Sequence, residues 1–413
     1  PPPSPPPPSP PFECAVDAIQ TPAASAGVVV NADGGLQDDQ MVAVTALQSS
    51  GGVGGFSSDT AIACYQTDSL TGPVKCNLLT YASDGYGFVT SAGEALEVSP
   101  NGIGGWGAGS SSPAQQGHAL ARLSDDEAIY CFKDANPALG ADVNRTMCYR
   151  LTASGTSLAK TGAGAILTLT TGQNYWVTSI DAAAFDQDYV LAFYAVLIPS
   201  PLSSAVACAR LDATNKAALV SPADSGVPIN SSYVTVSNVD GSVYQAVTVS
   251  AKDANSALVC WERIFSQTTG IVECNTVIVD VTQPSQLGLA LGTPFELATR
   301  DARFPSIRLM HGTEFLACYS DTYQSRYVSC HVLDVNHADG TITRVPGGSL
   351  LFDSEVGEAF GTGKGVLEST LLVSHLGVAG TGQDNGVVCY VEDANEYLQC
   401  NHVRLCEAWH GEQ

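Results

Sequence analysis

The feature that most constrains the fold of this chain is a recurring pair of cysteines. Five times, a cysteine in a short apolar run is followed 11–17 residues later by a second cysteine in another such run. The five pairs are Cys64 and Cys76, Cys131 and Cys148, Cys260 and Cys274, Cys318 and Cys330, and Cys389 and Cys400. A sixth unit has Phe193 at the first position and Cys208 at the second. The first positions lie 58–71 residues apart, so the chain is built from six homologous units.

Each unit has the same order of segments. An apolar strand such as 245–249 is followed by a short polar turn, the two cysteine strands, and a weaker last strand such as 166–169. Six repeats of four antiparallel strands are typical of a β-propeller, in which blades packed around an axis bury each other's faces. We therefore predict an all-β fold, a six-bladed β-propeller of four-stranded antiparallel blades preceded by a polyproline II segment. The signatures of kelch and WD40 repeats and the sialidase Asp-box are absent.

The predicted domain organisation follows from this repeat. Residues 1–11 form a proline-rich stalk, residues 12–406 the propeller and residues 407–413 a tail. The last unit lacks a fourth strand, so we expect the N-terminal segment 12–36 to supply it, from residues 15–20 or 26–30. The predicted blade boundaries are 37–100, 101–172, 173–228, 229–298, 299–360 and 361–406.

The thirteen cysteines predict a set of disulfides. We expect each of the five complete pairs to bridge the second and third strands of its blade, with Cα atoms about 5.5 Å apart. Cys14 and Cys406 flank the repeats, and a Cys14–Cys406 bridge would lock the ring where it closes. Cys208 is left over and is interpreted as a buried free thiol, or alternatively as an intermolecular bridge.

Composition and charge restrict the setting of the protein. Disulfides form in oxidising compartments, and the sequons at Asn144 and Asn230 agree with an extracellular or cell-surface protein. No apolar run reaches about 18 residues, so no segment should insert in a membrane. The net charge of −24 opposes binding to nucleic acid and to anionic membranes. The chain begins inside the proline tract without Met or a signal peptide, so we expect it to be processed or incomplete.

The first eleven residues, PPPSPPPPSPP, contain only proline and serine. Proline fixes φ and lacks an N–H, so this tract predicts an extended polyproline II rod, either as a spacer or as a ligand for an aromatic-lined groove. The tract resembles the hydroxyproline-rich glycoproteins of green-algal and plant cell walls. The resemblance implies a shaft whose prolines are hydroxylated and O-glycosylated, here Pro1, Pro2, Pro3, Pro5, Pro6, Pro7, Pro8, Pro10 and Pro11.

The sequence contains no recognisable catalytic or cofactor motif. There is no Gly-x-Ser-x-Gly elbow, the glycines at 102–107 lie in a loop pattern, and the glycines at 361–365 do not match a phosphate loop. None of the seven histidines forms a close metal-binding pair. We therefore expect no enzyme activity and no cofactor. We also expect no metal, except that calcium could bind to a set of acidic turns. Acidic turns between the first two strands are interpreted as turn chemistry or as calcium ligands: Asp59, Asp125, Asp126, Asp186, Asp188, Asp253 and Asp384.

Three functions compete. The first is a structural glycoprotein of a matrix, wall or surface fibre, whose propeller head binds other copies of itself or proline-rich matrix glycoproteins. The second is a lectin that binds glycans by aromatic stacking. Its candidate residues, for which packing in the core is the alternative, are Trp106, Tyr175, Trp176 and Trp261. The third is a glycan-active hydrolase, which would need two carboxylates about 5–10 Å apart in a pocket.

Overall fold

All regular elements that the structure describes are β-strands. The structure is a computed structural model, and it describes residues 19–20, 42–47, 60–67, 72–81, 89–103, 117–133, 145–168, 176–185, 188–199, 202–214, 234–237, 243–266, 269–280, 288–299, 302–311, 313–321, 327–336, 339–352, 369–374, 383–392 and 397–406. Within these residues the strands form six antiparallel sheets. The all-β prediction is therefore confirmed. Among the described residues, no helix has the length and apolar character needed to cross a membrane.

The first three sheets follow one another along the chain. Sheet 1 contains β2 (Val42–Leu47), β3 (Thr60–Gln66), β4 (Val74–Tyr81), β5 (Val89–Ala92) and β6 (Leu96–Ser99). Sheet 2 contains β7 (His118–Arg122), β8 (Glu127–Lys133), β9 (Arg145–Ser154) and β10 (Ser157–Thr168). Sheet 3 contains β11 (Trp176–Ala184), β12 (Tyr189–Pro199), β13 (Leu202–Asp212) and β14 (Val234–Ser237).

The last three sheets have the same meander order. Sheet 4 contains β15 (Val243–Ala251), β16 (Ser256–Ser266), β17 (Thr269–Asp280), β18 (Gly288–Leu291) and β19 (Phe295–Ala298). Sheet 5 contains β20 (Ala302–His311), β21 (Glu314–Asp321), β22 (Tyr327–Val335) and β23 (Ile342–Phe352). Sheet 6 contains β24 (Ser369–Ser374), β25 (Gln383–Glu392) and β26 (Tyr397–Cys406), and β1 (Ile19–Gln20) joins it from the start of the chain.

Two sheets depart from the predicted four strands. In sheets 1 and 4 the fourth strand is divided, so that β5 and β6 both pair with β4, and β18 and β19 both pair with β17. The sequence pattern did not reveal this division, because the interruption is only three residues long. The predicted blade boundaries, the stalk at 1–11 and the tail at 407–413 stay predictions.

Sheet 6 is completed by the N-terminal segment. Ile19 lies opposite Leu405 and Gln20 opposite Arg404, in antiparallel register. Ile19 and Gln20 belong to residues 15–20, the first of the two segments that we predicted could supply this strand. Residues 26–30, the other candidate, lie outside the described part of the chain.

Four disulfides form at predicted pairs. They join Cys64 to Cys76, Cys131 to Cys148, Cys260 to Cys274, and Cys318 to Cys330. In each pair the cysteines lie directly opposite each other on the second and third strands. Their Cα atoms are 4.0–4.1 Å apart, closer than the 5.5 Å we expected. Such short separations are characteristic of the non-hydrogen-bonded positions of an antiparallel pair.

The remaining cysteines differ in how far the structure describes them. Cys389 and Cys400 are also opposite each other in the backbone register, although their side chains lie outside the description. Cys14 lies outside it too, so the Cys14–Cys406 bridge stays a prediction. In sheet 3, Phe193 lies opposite Cys208, which is a buried free thiol.

Neighbouring sheets pack through their faces. One apolar cluster joins sheets 1 and 2, another joins sheets 2 and 3, a third joins sheets 3 and 4, and a fourth joins sheets 4 and 5. A central strand is therefore covered on both faces, and every residue of β8 is buried. This is why the cysteine strands read as continuous apolar runs instead of alternating ones.

The first strands of successive sheets lie side by side. β2 contacts β7, β7 contacts β11, β11 contacts β15, β15 contacts β20, β20 contacts β24, and β24 contacts β2. Among the described residues, the buried polar side chains on these first strands include Ser179, Asp181, Thr248, Ser250 and Ser306.

Candidate functional site

The first strands of sheets 3 and 4 are joined by side-chain-to-backbone hydrogen bonds. Ser179 on β11 accepts the backbone N–H of Val247 on β15 through its Oγ, at 2.9 Å. Two residues further along, Asp181 Oδ2 accepts the backbone N–H of Val249, at 2.7 Å. A first strand has no strand partner on its outer edge, so its N–H groups need such acceptors when they are buried.

The same arrangement recurs between sheets 4 and 5. Thr248 Oγ1 on β15 accepts the N–H of Ile307 on β20 at 3.3 Å, and Ser250 Oγ accepts the N–H of Leu309 at 2.8 Å. In both junctions the acceptors are two residues apart, as are the donors. We call these two sets of bonds the polar seams. They bond one sheet to the next in a fixed register.

Asp181 is the one acid of the polar seams and the best-connected group in them. Its Oδ2 also accepts the Thr248 hydroxyl at 3.0 Å, and its Oδ1 accepts the N–H of Ala182 at 2.8 Å. Burial raises the pKa of the Asp181 carboxyl, while the nearby Arg308 guanidinium, 3.8 Å away, and these hydrogen bonds act in the opposite direction. Arg308 also donates to the carbonyl of Val249 at 3.2 Å, so it too ties β20 to β15.

A buried arginine of sheet 2 pairs with an acid of its own sheet and also bonds sheet 3. Arg150 on β9 binds Glu127 on β8, with Nη1 and Oε2 3.2 Å apart and side chains that are 2% and 9% exposed. The second guanidinium nitrogen donates to the carbonyl of Ala213, directly after β13. The charge of Arg150 is therefore neutralised within its own sheet while its free donor binds the neighbouring one.

A third cluster of polar groups lies within sheet 4. Glu273 on β17 accepts the indole N–H of Trp261 at 3.1 Å and the Arg263 guanidinium at 2.6 Å. The Trp261 side chain is 1% exposed and packs in the cluster that joins sheets 3 and 4. Its assignment as a sugar-stacking residue is therefore wrong: it is a core residue with its polar end paired.

An aromatic residue follows every first-position residue, a regularity that the sequence interpretation left unused. Five of these aromatics have described side chains, and all are buried: Tyr65, Phe132, Tyr194, Trp261 and Tyr319. Three of the polar ones bind groups on the third strand of their own sheet: Tyr65 donates to Asn77 Oδ1 at 2.8 Å, Trp261 donates to Glu273 at 3.1 Å, and the Tyr319 hydroxyl lies 3.1 Å from His331 Nε2. In the sixth unit the position is Tyr390. These buried aromatic residues could have been found from the sequence, because one directly follows the first position of every unit.

Three of the described acidic residues bond neighbouring residues of their own turns. Asp125 pairs with Arg122 at 2.7 Å, and Asp126 accepts the Ser124 hydroxyl at 2.8 Å. Asp253 accepts the N–H of Asn255 and the hydroxyl of Ser256, at 2.8 and 2.7 Å. Within the described ranges, no group of three potential ligands could hold a metal ion. Calcium binding by the whole chain stays a prediction, since Asp59, Asp186 and the Asp384 side chain lie outside those ranges.

Several predicted site residues fall outside the described part of the chain. They are the nine prolines of residues 1–11, the sequon asparagines Asn144 and Asn230, and the aromatic residues Trp106 and Tyr175. Trp176 begins β11, but its side chain is not among those described. Glycosylation and stacking at these positions stay predictions.

No protein-family model matches this chain, and no curated protein matches it. Solved structures resemble it at low identity. One is the alpha-L-arabinanase of Penicillium chrysogenum complexed with arabinobiose, at 9% identity and a TM-score of 0.49, over 92% of this chain and 98% of that one. A protein of unknown function from Dyadobacter fermentans gives the same identity and TM-score, over 94% and 100%. A prolyl endopeptidase gives 11% and 0.35, over 88% and 40%. All three TM-scores lie below one half, so we infer nothing about this chain from them.

Proposed function

We propose that this chain is a secreted structural glycoprotein without enzymatic activity, with a closed six-bladed β-propeller head on a polyproline II shaft. This proposal rests on the hydrogen-bond partners of three charged side chains that lie between sheets. Asp181, Arg150 and Arg308 all bind the backbone of a neighbouring sheet. Hydrogen bonds of this kind join neighbouring sheets, which suits a structural or assembly role.

Two observations support closure of the ring. The first strands contact one another in a cycle that returns from β24 to β2. The last sheet takes a strand from the opposite end of the chain, through the pairing of β1 with β26. A seam made from both ends is a general way for a ring of sheets to avoid exposed edges.

The extracellular location rests on chemistry. The four disulfides are buried and require an oxidising compartment to form. The sequons and the resemblance of residues 1–11 to hydroxyproline-rich wall glycoproteins favour the same location. The partners proposed are other copies of this chain and proline-rich matrix glycoproteins.

The two alternatives have less support among the described residues. A glycan-active hydrolase needs an acid and a second carboxylate facing one substrate. Instead Glu127 is paired with Arg150, and Glu273 with Arg263 and Trp261. A lectin loses Trp261 as a stacking residue because that side chain is buried.

Negative-stain imaging of native material, with glycan-array and polysaccharide-hydrolysis assays on the same preparation, tests the proposal. We expect ring-shaped heads on thin shafts of about 34 Å for residues 1–11, joined into linear assemblies, with a blank array and no hydrolysis. Monodisperse monomers without affinity for one another would contradict the assembly role. Discrete sugar binding would favour the lectin, and hydrolysis would favour the enzyme.

A further inference from the structure

Sheets 1 and 4 share the same divided fourth strand. In sheet 1 the interruption spans residues 93–95, and in sheet 4 it spans residues 292–294. The second half of the strand begins opposite the second cysteine in both sheets, with Leu96 opposite Cys76 and Phe295 opposite Cys274. Both second halves also have the same pattern of exposed and buried residues.

A glycine occupies the start of each interruption and makes the same bond. The N–H of Gly93 donates to the carbonyl of Leu78 at 2.7 Å, and the N–H of Gly292 donates to the carbonyl of Thr276 at 2.9 Å. In each case the carbonyl belongs to the residue two positions after the second cysteine of the sheet.

The turn between the third and fourth strands of the next sheet lies against this glycine. A Cβ on Gly93 would be 2.6 Å from the carbonyl oxygen of Thr156, which lies between β9 and β10. A Cβ on Gly292 would be 3.4 Å from the carbonyl oxygen of Gly340, which lies between β22 and β23. Both turns contain a glycine with positive φ, Gly155 at 61° and Gly340 at 69°.

A basic side chain completes each contact. Lys160 on β10 donates to the carbonyl of Val98 at 3.0 Å, and Arg344 on β23 donates to the carbonyl of Leu297. Val98 and Leu297 are both the third residue of their half-strand.

The two basic residues also occupy the same place in their own sheets. Lys160 lies opposite Leu151 and Arg344 opposite Leu333, and both leucines are three residues beyond the second cysteine. Sheet 2 therefore meets sheet 1 through the same groups, in the same register, as sheet 5 meets sheet 4.

We infer that sheets 4–6 repeat sheets 1–3, so that the chain is a tandem duplication of a three-sheet unit. The spacing along the chain agrees. Position 260 follows position 64 by 196 residues, position 318 follows position 131 by 187, and position 389 follows position 193 by 196. The segments 93–99 and 292–298 are then two copies of one docking surface. Each docking surface binds the following sheet, through the turn between that sheet's third and fourth strands and through its basic residue. If the unit is duplicated, either docking surface should fit the following sheet of either copy.

The test exchanges the docking surfaces in the full chain. Both segments are seven residues long and share their glycine and their glutamate, Glu97 and Glu296. The exchange in sheet 1 therefore needs five substitutions: Glu94→Thr, Ala95→Pro, Leu96→Phe, Val98→Leu and Ser99→Ala. We expect the variant to fold with its melting temperature within about 3 °C of the parent, because equivalent contacts are kept.

The matched control places the same seven residues one position earlier, over residues 92–98. This moves the glycine off its site and reverses the two faces of the half-strand, so we expect a loss of at least about 10 °C or failure to fold. A second measurement exchanges the basic residues, as Lys160→Arg with Arg344→Lys, and should leave melting unchanged. The inference is overturned if the matched exchange is tolerated no better than the shifted one, or if the basic exchange destabilises the chain.

Discussion

At the scale of single residues, three charged side chains of this protein, Asp181, Arg150 and Arg308, bond the backbone of a neighbouring sheet. Asp181 lies where β11 meets β15, and it accepts the N–H of Val249 together with the hydroxyl of Thr248. Burial raises the pKa of this carboxyl, so ionisation costs the folded state free energy at every pH above the unfolded value. Its hydrogen bonds favour the fold while its charge opposes it, and the two effects can be separated.

Two substitutions of Asp181 make that separation. Asp181→Ala removes both bonds to β15, and we expect it to lower the free energy of unfolding by about 1–3 kcal/mol. Asp181→Asn keeps an acceptor and removes the charge, so it should cost less than about 1 kcal/mol at pH 7. Chemical denaturation of both variants measures the difference. Equal losses would show that the polar seam does not depend on the acceptor.

The odd cysteine gives a second prediction at this scale. Phe193 lies opposite Cys208 as the cysteines lie opposite each other in other sheets, so in Phe193→Cys the new thiol should bond Cys208. The bridge contributes about 3 kcal/mol, but loss of the buried ring costs about 3–5 kcal/mol, so melting should stay level or fall. A thiol assay in denaturant without reductant should find one thiol fewer than in the parent. An extra thiol would contradict the register.

At the scale of strands and sheets, the repeat was readable because cysteines mark the centre of each sheet. Strands such as β3 and β16 follow directly from the apolar runs around Cys64 and Cys260. The division of the fourth strand into β5 and β6 was not predicted, because Thr156 of the next sheet, which lies against Gly93, is distant from it in sequence. Nor were the polar seams, since the partner of Asp181 lies 68 residues away in sequence.

The residue next to the buried tyrosine hydroxyl is Asn77 in sheet 1 and His331 in sheet 5, and this difference predicts that stability depends on pH. The Tyr65 hydroxyl bonds Asn77 in sheet 1, and the Tyr319 hydroxyl lies 3.1 Å from His331 Nε2 in sheet 5. Burial, with Arg344 nearby, lowers the pKa of His331 to about 4. The unfolded chain therefore binds an extra proton between about pH 6.5 and 4, and stability falls as the pH is lowered through that window.

His331→Asn should remove this dependence while keeping a partner for Tyr319, as Asn77 does in sheet 1. Between pH 7 and 4 we expect the parent to lose about 1–2 kcal/mol more than the variant, a value reduced because the imidazole is partly exposed. Denaturation curves at several pH values measure it, with Asn77→Ala as a control that has no titrating group. If the free energy of unfolding varied with pH in the same way in the parent and in His331→Asn, the pH dependence would not come from His331.

At the scale of the whole molecule, the proposal is a ring of six sheets, made of two three-sheet units and closed where the chain ends meet. β1 brings Ile19 beside Leu405, the residue before Cys406, and Cys14 precedes Ile19 by five residues. Sequence could predict that the N-terminus completes the last sheet, because that unit lacks a strand. It could not choose between residues 15–20 and 26–30, since both are short apolar segments.

Peptide mapping of the native protein without reduction tests the closed ring most directly. We expect a peptide in which Cys14 is joined to Cys406, alongside five bridges within sheets, with Cys208 recovered as the free thiol. A bridge from Cys14 or Cys406 to any of the other eleven cysteines, or both recovered as free thiols, would contradict the closed ring.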